Sequence, residues 1–152
     1  MINIKKKSRR TPIDASYSSC ESTYVEFLVY VDKDSAQAVS NILQLEPTKS
    51  QTKGDLIVNS RGIERLAKTT YWILSSEGKI LSKDIRHHLD WLLNQLLDKQ
   101  FQLSRLQSNT NMSMTVNCIW WSTGSGGPTL WPEQMKMLSQ LNLECTFDIY
   151  FE

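Results

Sequence analysis

The side chains that could do chemistry are few and mostly scattered. The chain holds two histidines, and they are adjacent, His87 and His88. With Asp84 they fall at i, i+3 and i+4 of a helical register, a spacing that puts ligands on one helix face. A metal site needs at least three ligands in a closed geometry, and no partner segment completes one. A solvated helix face, with His88 bordering the core, accounts for the same residues. Cys20, Cys118 and Cys145 are odd in number and show no C-x-x-C spacing, so neither a disulfide framework nor a zinc site follows. No Ser, Thr or Cys nucleophile pairs with a histidine through a known spacing. The Gly-rich stretch 122–128 (Ser-Thr-Gly-Ser-Gly-Gly-Pro) precedes a helix, as phosphate cradles do. It lacks both the P-loop Lys-Ser/Thr pair and the Gly-x-Gly-x-x-Gly spacing, and Pro132 removes one N–H donor from the helix start, so a flexible connector is the plainer reading. These residues lead us to expect a non-enzymatic protein with no cofactor and no metal.

The aromatic residues carry more information. Five tryptophans are many for 152 residues. Trp120 continues the apolar register of its strand and belongs to a core. Trp121 falls on the opposite face where a loop begins, Trp131 stands beside the same loop, and Trp91 lies off the main stripe of its helix. Large amphipathic rings outside a core are typical interface anchors. The strand faces turned away from the core carry Tyr24, Tyr30, Tyr150 and Trp121 with Glu26, Glu144 and Asp148. If those strands are neighbours, they form an aromatic and acidic patch. Such a patch could stack bases, but its carboxylates repel phosphates, and a basic protein partner fits it better.

The elements that must position these residues follow from periodicity. Thr23–Val31, Thr69–Ser76, Met112–Trp121 and Leu143–Phe151 read as strands, the last with Leu143, Cys145, Phe147, Ile149 and Phe151 inward. Three longer helices are expected. One follows Asp34 as N-cap and ends at Glu46-Pro47. One follows Ser82 and carries Ile85, Leu89, Leu92, Leu93, Leu96 and Leu97 on one stripe. One starts at Pro132, with Leu130 and Met135 placed as a hydrophobic staple. A short helical stretch over Phe101–Leu106 is also indicated. The order is β-α-β-α-β-α-β. Four strands span roughly 19 Å, room for two helices on one face, so either the third helix covers the other face or the polar segment 48–68 adds strands. Added strands are favoured, with a hairpin near Leu56–Val58 and Gly62–Glu64. The fold class is α+β, one domain over residues 23–152, with helices mainly on one face of an antiparallel or mixed sheet.

Composition sets the outer limits. Hydrophobic content of 40%, charged content of 22% and a net charge of +1 describe an ordinary globular chain with no overall field for nucleic acid or membrane. Residues 1–22 differ: five basic side chains against Asp14 and Glu21 leave them at +3, and their Ser-rich, aperiodic sequence predicts a flexible basic arm. No apolar run reaches the roughly 18 residues of a membrane helix, and no secretory signal follows the basic start. With unpaired cysteines this points to the cytoplasm.

Several segments together resemble a bacterial family known only as domain of unknown function forty-two seventy-nine. They are Leu43-Gln44-Leu45-Glu46-Pro47-Thr48 with Lys53-Gly54-Asp55, then Tyr71-Trp72-Ile73-Leu74, then His88-Leu89-Asp90-Trp91-Leu92-Leu93. Pro132-Glu133, Leu138, Leu141 and Asp148-Ile149-Tyr150 complete the series. Trp131 departs from the small polar cap usual at its position. The resemblance implies a bacterial α+β domain without established activity, some of whose members resemble immunity proteins encoded near secreted toxins. The expected function is therefore partner binding of the toxin-masking kind. Tyr30, Trp121, Trp131 and Tyr150 are the expected anchors, with Glu26 and Asp148 as charge partners. The alternatives are a small-ligand or nucleotide site on loop 122–128, and nucleic-acid binding through residues 1–22. Oligomeric state is not legible.

Overall fold

The computed structural model describes residues 9–151. The elements run β1 (Cys20–Val31), α1 (Ala36–Leu43), β2 (Lys49–Gln51), β3 (Leu56–Val58), β4 (Glu64–Leu66), β5 (Thr70–Ser75), α2 (Ile85–Leu97), α3 (Gln100–Gln107), β6 (Met112–Ser122), α4 (Pro132–Gln140) and β7 (Cys145–Phe151). Five strands form one mixed sheet in the order β2-β5-β1-β6-β7, and β3 and β4 pair as a separate hairpin. Every pairing in the sheet is antiparallel except β6 with β7, which is parallel. The parallel pair follows from the crossover through α4, which returns the chain to the same edge in the same direction.

The segment 48–68 does add strands, one at the edge of the main sheet and two in the hairpin. The element order is therefore richer than the expected alternation: four strands separate α1 from α2, and two helices separate β5 from β6.

The core lies on one face. Val25, Phe27, Val29 and Val31 of β1, Trp72 and Leu74 of β5, and Met112, Val116 and Cys118 of β6 are all buried there. Their register pairs, such as Phe27 with Leu74 and with Val116, confirm that they share that face. All four helices among the described residues contribute to the same cluster, from Val39 and Leu43 of α1 to Leu138 of α4. Five of the six stripe residues on α2, Ile85, Leu89, Leu92, Leu93 and Leu96, are essentially inaccessible, while Leu97 in the last turn is half-buried. At about 1.5–3 kcal/mol for each large side chain, that stripe is a major source of the fold's stability.

Local departures have identifiable causes. α1 starts one residue later than an Asp34 cap would give: Ser35 is the N-cap position, Asp34 Oδ1 accepts from Ser35 N–H, and Thr52 Oγ1 accepts from Ala36 N–H. It stops at Leu43, because Gln44 turns into the left-handed region at φ 56°. On α2 the cap is Asp84, not Ser82; Ser82 Oγ accepts from Asp84 N–H one step earlier. Phe147, Ile149 and Phe151 lie on the core side by register but are not buried; their exposures are 43, 39 and 75%. β7 is an edge strand, and of its residues only Cys145 packs against the core cluster.

Candidate functional site

The sheet face opposite the helices is built by strand alternation alone. On β1 it takes Tyr24, Glu26, Leu28 and Tyr30; on β6, Asn117, Ile119 and Trp121; on β7, Thr146, Asp148 and Tyr150. Leu28 and Ile119 form an apolar floor within it, together with Ile73 of β5. The other side chains are half-buried or exposed.

One end of this face gathers four of the expected residues. Trp121 and Tyr150 are register partners on adjacent strands, and their rings stack at 4.5 Å between centroids and 18° between planes. Asp148 pairs in register with Ile119, which pairs in turn with Tyr24. The charges at this end act on one another. Burial pushes the Glu26 carboxyl above its ordinary pKa; Lys49 counters this, while Glu77 and Asp148 push it further up. The Tyr24 phenol is raised by burial, then by Glu77, Glu26, Tyr150 and Asp148. Glu77, a contributor that periodicity did not single out, joins from the turn after β5.

The two other expected residues stand elsewhere. Tyr30 is 50% exposed on the same face but at its far end, beside Tyr71 and Ser113. Six residues of strand from Tyr24 amount to roughly 20 Å, too far for one contact. Trp131 is not on this face. It occupies the N-cap position of α4, where its backbone N–H donates to Gln134 Oε1 at 2.7 Å. Its indole Nε1 donates to the Thr11 carbonyl at 3.1 Å, and the guanidinium of Arg86 lies over its ring at 4.8 Å. Trp131 is half-buried, and its ring is held by contacts within the molecule, apart from the sheet face.

That contact belongs to a second structured region. The Asp84–Arg86 pair, 2.6 Å apart, is almost wholly buried. Arg86 also donates to the carbonyls of Thr11 and Pro12, and Asp84 accepts from Asp14 N–H. Arg10 bonds Glu133 through both carboxylate oxygens. Residues 10–14 are therefore fastened to α2 and α4, and β1 begins at Cys20, so the expected free arm does not extend over residues 9–22. Its remaining part, residues 1–8, lies outside the described residues. Arg86 was missed because a charged residue inside an otherwise apolar stripe reads as surface. Its i, i+2 spacing from a helix-capping Asp was the available signal.

The other candidates are accounted for by local bonds. His87 Nδ1 meets Ser82 Oγ at 2.7 Å and His88 is fully buried, so the pair does not face one site. Among the described residues no three His, Cys, Asp or Glu side chains are grouped to hold a metal. In the Gly-rich loop, Thr123 N–H is bonded to the Ser19 carbonyl and Gly124 N–H to Ser122 Oγ, so two of the loop's donors are engaged within the molecule. Among the described residues no helix is long and apolar enough to cross a membrane.

The molecule is thus a one-domain α+β protein with an uncovered, aromatic and acidic sheet face. Residues 21–152 match the family described as domain of unknown function (DUF4279), and the chain belongs to that family. Neither the curated proteins nor the solved structures searched gave a match.

Proposed function

We propose that this chain is a non-enzymatic binding protein of the bacterial cytoplasm, of the immunity or antitoxin kind. Its open sheet face masks a basic surface on a protein partner. The observation that carries the reading is the stacked Trp121–Tyr150 pair beside Glu26 and Asp148 on a face without a helix. Stacked rings offer a rigid contact area that costs little side-chain entropy on binding. The Glu26 carboxyl is crowded by burial and by Glu77 and Asp148, which Lys49 only partly offsets, so a Lys or Arg from a partner relieves repulsion as well as forming an ion pair. Masking requires no cofactor and no moving part.

The arm-mediated nucleic-acid reading has less support, since Arg10 is bound to Glu133. Nucleotide binding on loop 122–128 has less support, because the loop lacks the Lys-Ser/Thr pair of a phosphate cradle and two of its N–H groups are engaged within the molecule.

The test is isolation of the partner from the native host, followed by titration of the purified pair. Trp121→Ala and Asp148→Lys should each weaken the complex by about tenfold or more, with circular dichroism unchanged. Tyr30→Ala, at the far end, should have a smaller effect. Unaltered affinity in both Trp121→Ala and Asp148→Lys would reject the site.

A further inference from the structure

Two cysteine sulfurs meet at the core side of the sheet. Cys118 lies in the middle of β6 and is fully buried; Cys145 opens β7 and is half-buried. Their Sγ atoms are 3.5 Å apart, and both are free thiols. Cys20 stands apart from them. It pairs with Ser122, at the far end of β6, roughly 13 Å of strand from Cys118.

The register says what joining the two sulfurs requires. Cys145 faces Val116, and Cys118 faces Phe147. The cysteines are thus diagonal neighbours. Strands about 4.8 Å apart with a two-residue offset of about 6.6 Å set their α-carbons roughly 8 Å apart. A disulfide needs sulfurs about 2.05 Å apart and α-carbons within about 7 Å, so the backbone must give by about 1 Å. The start of β7 is where it can. β7 is an edge strand whose one neighbour among the described strands is β6, and Cys145 is its first residue. The backbone bond that resists there runs from Val116 N–H to the Glu144 carbonyl at 3.0 Å.

The two thiols divide the roles. Cys145 is the more accessible, and the hydrogen bond from Cys118 favours its thiolate, the form that attacks an oxidant. Cys118 is buried and keeps its proton, and the sulfur it touches is that of Cys145.

We propose that Cys118 and Cys145 form an oxidisable dithiol that hydrogen peroxide closes into a reversible disulfide. The Cys145 thiolate attacks one peroxide oxygen, and the O–O bond breaks. The departing hydroxide takes up the proton that Cys145 released, giving water, and Cys145 becomes a sulfenic acid. The Cys118 sulfur then attacks the Cys145 sulfur. The S–O bond breaks, and the hydroxyl leaves with the Cys118 proton as a second water. The two thiols lose two electrons, and the peroxide that takes them becomes two waters. A dithiol reductant reverses the change. Cys145 packs against the core cluster, across the sheet from the docking face, so the proposal stands whether or not that face binds a partner.

The test treats the folded full chain with hydrogen peroxide, blocks the remaining thiols with N-ethylmaleimide in denaturant, and maps the peptides by mass spectrometry. The expected product is a Cys118–Cys145 cross-link within one chain, two hydrogens lighter than the reduced pair, with Cys20 blocked as a thiol. Dithiothreitol should restore both thiols. Cys118→Ala should lose the cross-link and leave a Cys145 sulfenic acid that dimedone captures. If that variant does not fold, the native cross-link decides alone. The proposal is overturned if peroxide leaves the thiols free, or if Cys145 passes to sulfinic acid while Cys118 stays a thiol. It is overturned equally if the cross-link joins two chains, or if the folded chain gives the same mixture of pairings, Cys20 included, as the chain unfolded in urea.

Discussion

The Ser76 hydroxyl lies 2.7 Å from Nδ1 of His88, and both residues are fully buried. On the other side of the ring, Nε2 is 2.7 Å from the Ser82 carbonyl oxygen. A carbonyl only accepts, so Nε2 carries the proton and Nδ1 accepts from Ser76, whose oxygen in turn accepts from Val25 N–H at 3.0 Å. The neutral imidazole is thereby completely paired and ties α2 to β1.

This fixes a pH dependence. Burial holds the His88 pKa below its ordinary value. Below about pH 6.5 the unfolded chain takes up a proton that the folded chain refuses, so stability is complete above that pH and falls on acidification towards the lowered folded value. Asp84 acts in the same direction at lower pH. Burial opposes its ionisation, but the Arg86 guanidinium and the N–H groups of Asp14 and Arg86 outweigh this and lower its pKa. Its contribution is present above the usual carboxylate range and lost as pH falls through the lowered value. Urea unfolding across pH 3 to 8 (a range of roughly five units set by the ordinary His and Asp values) should show two declining stages. His88→Gln should remove the upper one.

Arg86 should prove the least replaceable charged residue. Arg86→Met leaves the Asp84 carboxylate buried without its partner and frees the Thr11 and Pro12 carbonyls. Losing one member of a buried pair costs about 3–5 kcal/mol. Arg86→Lys keeps the charge but not the planar fork and should fall between. Denaturant unfolding measures the loss. Faster proteolytic cleavage within residues 9–17 would show that these contacts hold the segment down.

The large elements were legible because burial and alternation coincide in them. Phe27 and Val116, or Leu89 and Leu93, are apolar at the positions where the period requires it and are buried. The patch of Trp121, Tyr150, Glu26 and Asp148 was legible only on condition that β1, β6 and β7 adjoin, since alternation gives a face and not a strand order. What failed has a common cause. Phe151 was judged inward from the alternation of its own segment, yet it is 75% exposed at the end of an edge strand, and the contact of the Trp131 indole with Thr11 spans 120 residues that no local pattern reaches. The backbone partners of Arg86 and the surroundings of Trp120 needed the same long-range knowledge: Asp84 is two residues from Arg86, but the carbonyls of Thr11 and Pro12 are not local, and one indole is buried without an acceptor.

Cys118 and Cys145 place their sulfurs 3.5 Å apart across β6 and β7, and the two thiols are unlike. The hydrogen bond to Cys145 and burial raise the Cys118 pKa, while the same bond favours the Cys145 thiolate and lowers its pKa. Cys20 is buried, and that burial raises its pKa against the pull of Lys83. Iodoacetamide at neutral pH should therefore modify Cys145 first, with Cys20 and Cys118 reacting only as the chain opens. Cys118→Ala removes the donor and should slow the modification of Cys145. Peptide mapping over a time course checks both.

Glu26 should set stability against binding. Its carboxyl is raised by burial and by Glu77 and Asp148, so the ionised form is disfavoured in the folded chain. The sign is opposite to that of His88: the contribution is present below the ordinary carboxylate pKa and lost as pH rises through the raised one. At neutral pH, Glu26→Gln should therefore raise the unfolding midpoint slightly, within the about 0.5 kcal/mol usual for substitutions of this exposure. The loss of attraction to Lys49 limits the gain. The same change should weaken a complex with a basic partner, because it removes one of the charges that a Lys or Arg would meet. A variant more stable than the native chain yet poorer in binding would show that the acidic crowding on this face serves the partner and not the fold. A variant less stable at neutral pH would mean that Lys49 already neutralises Glu26, and the docking face would then lose one of its two charge partners.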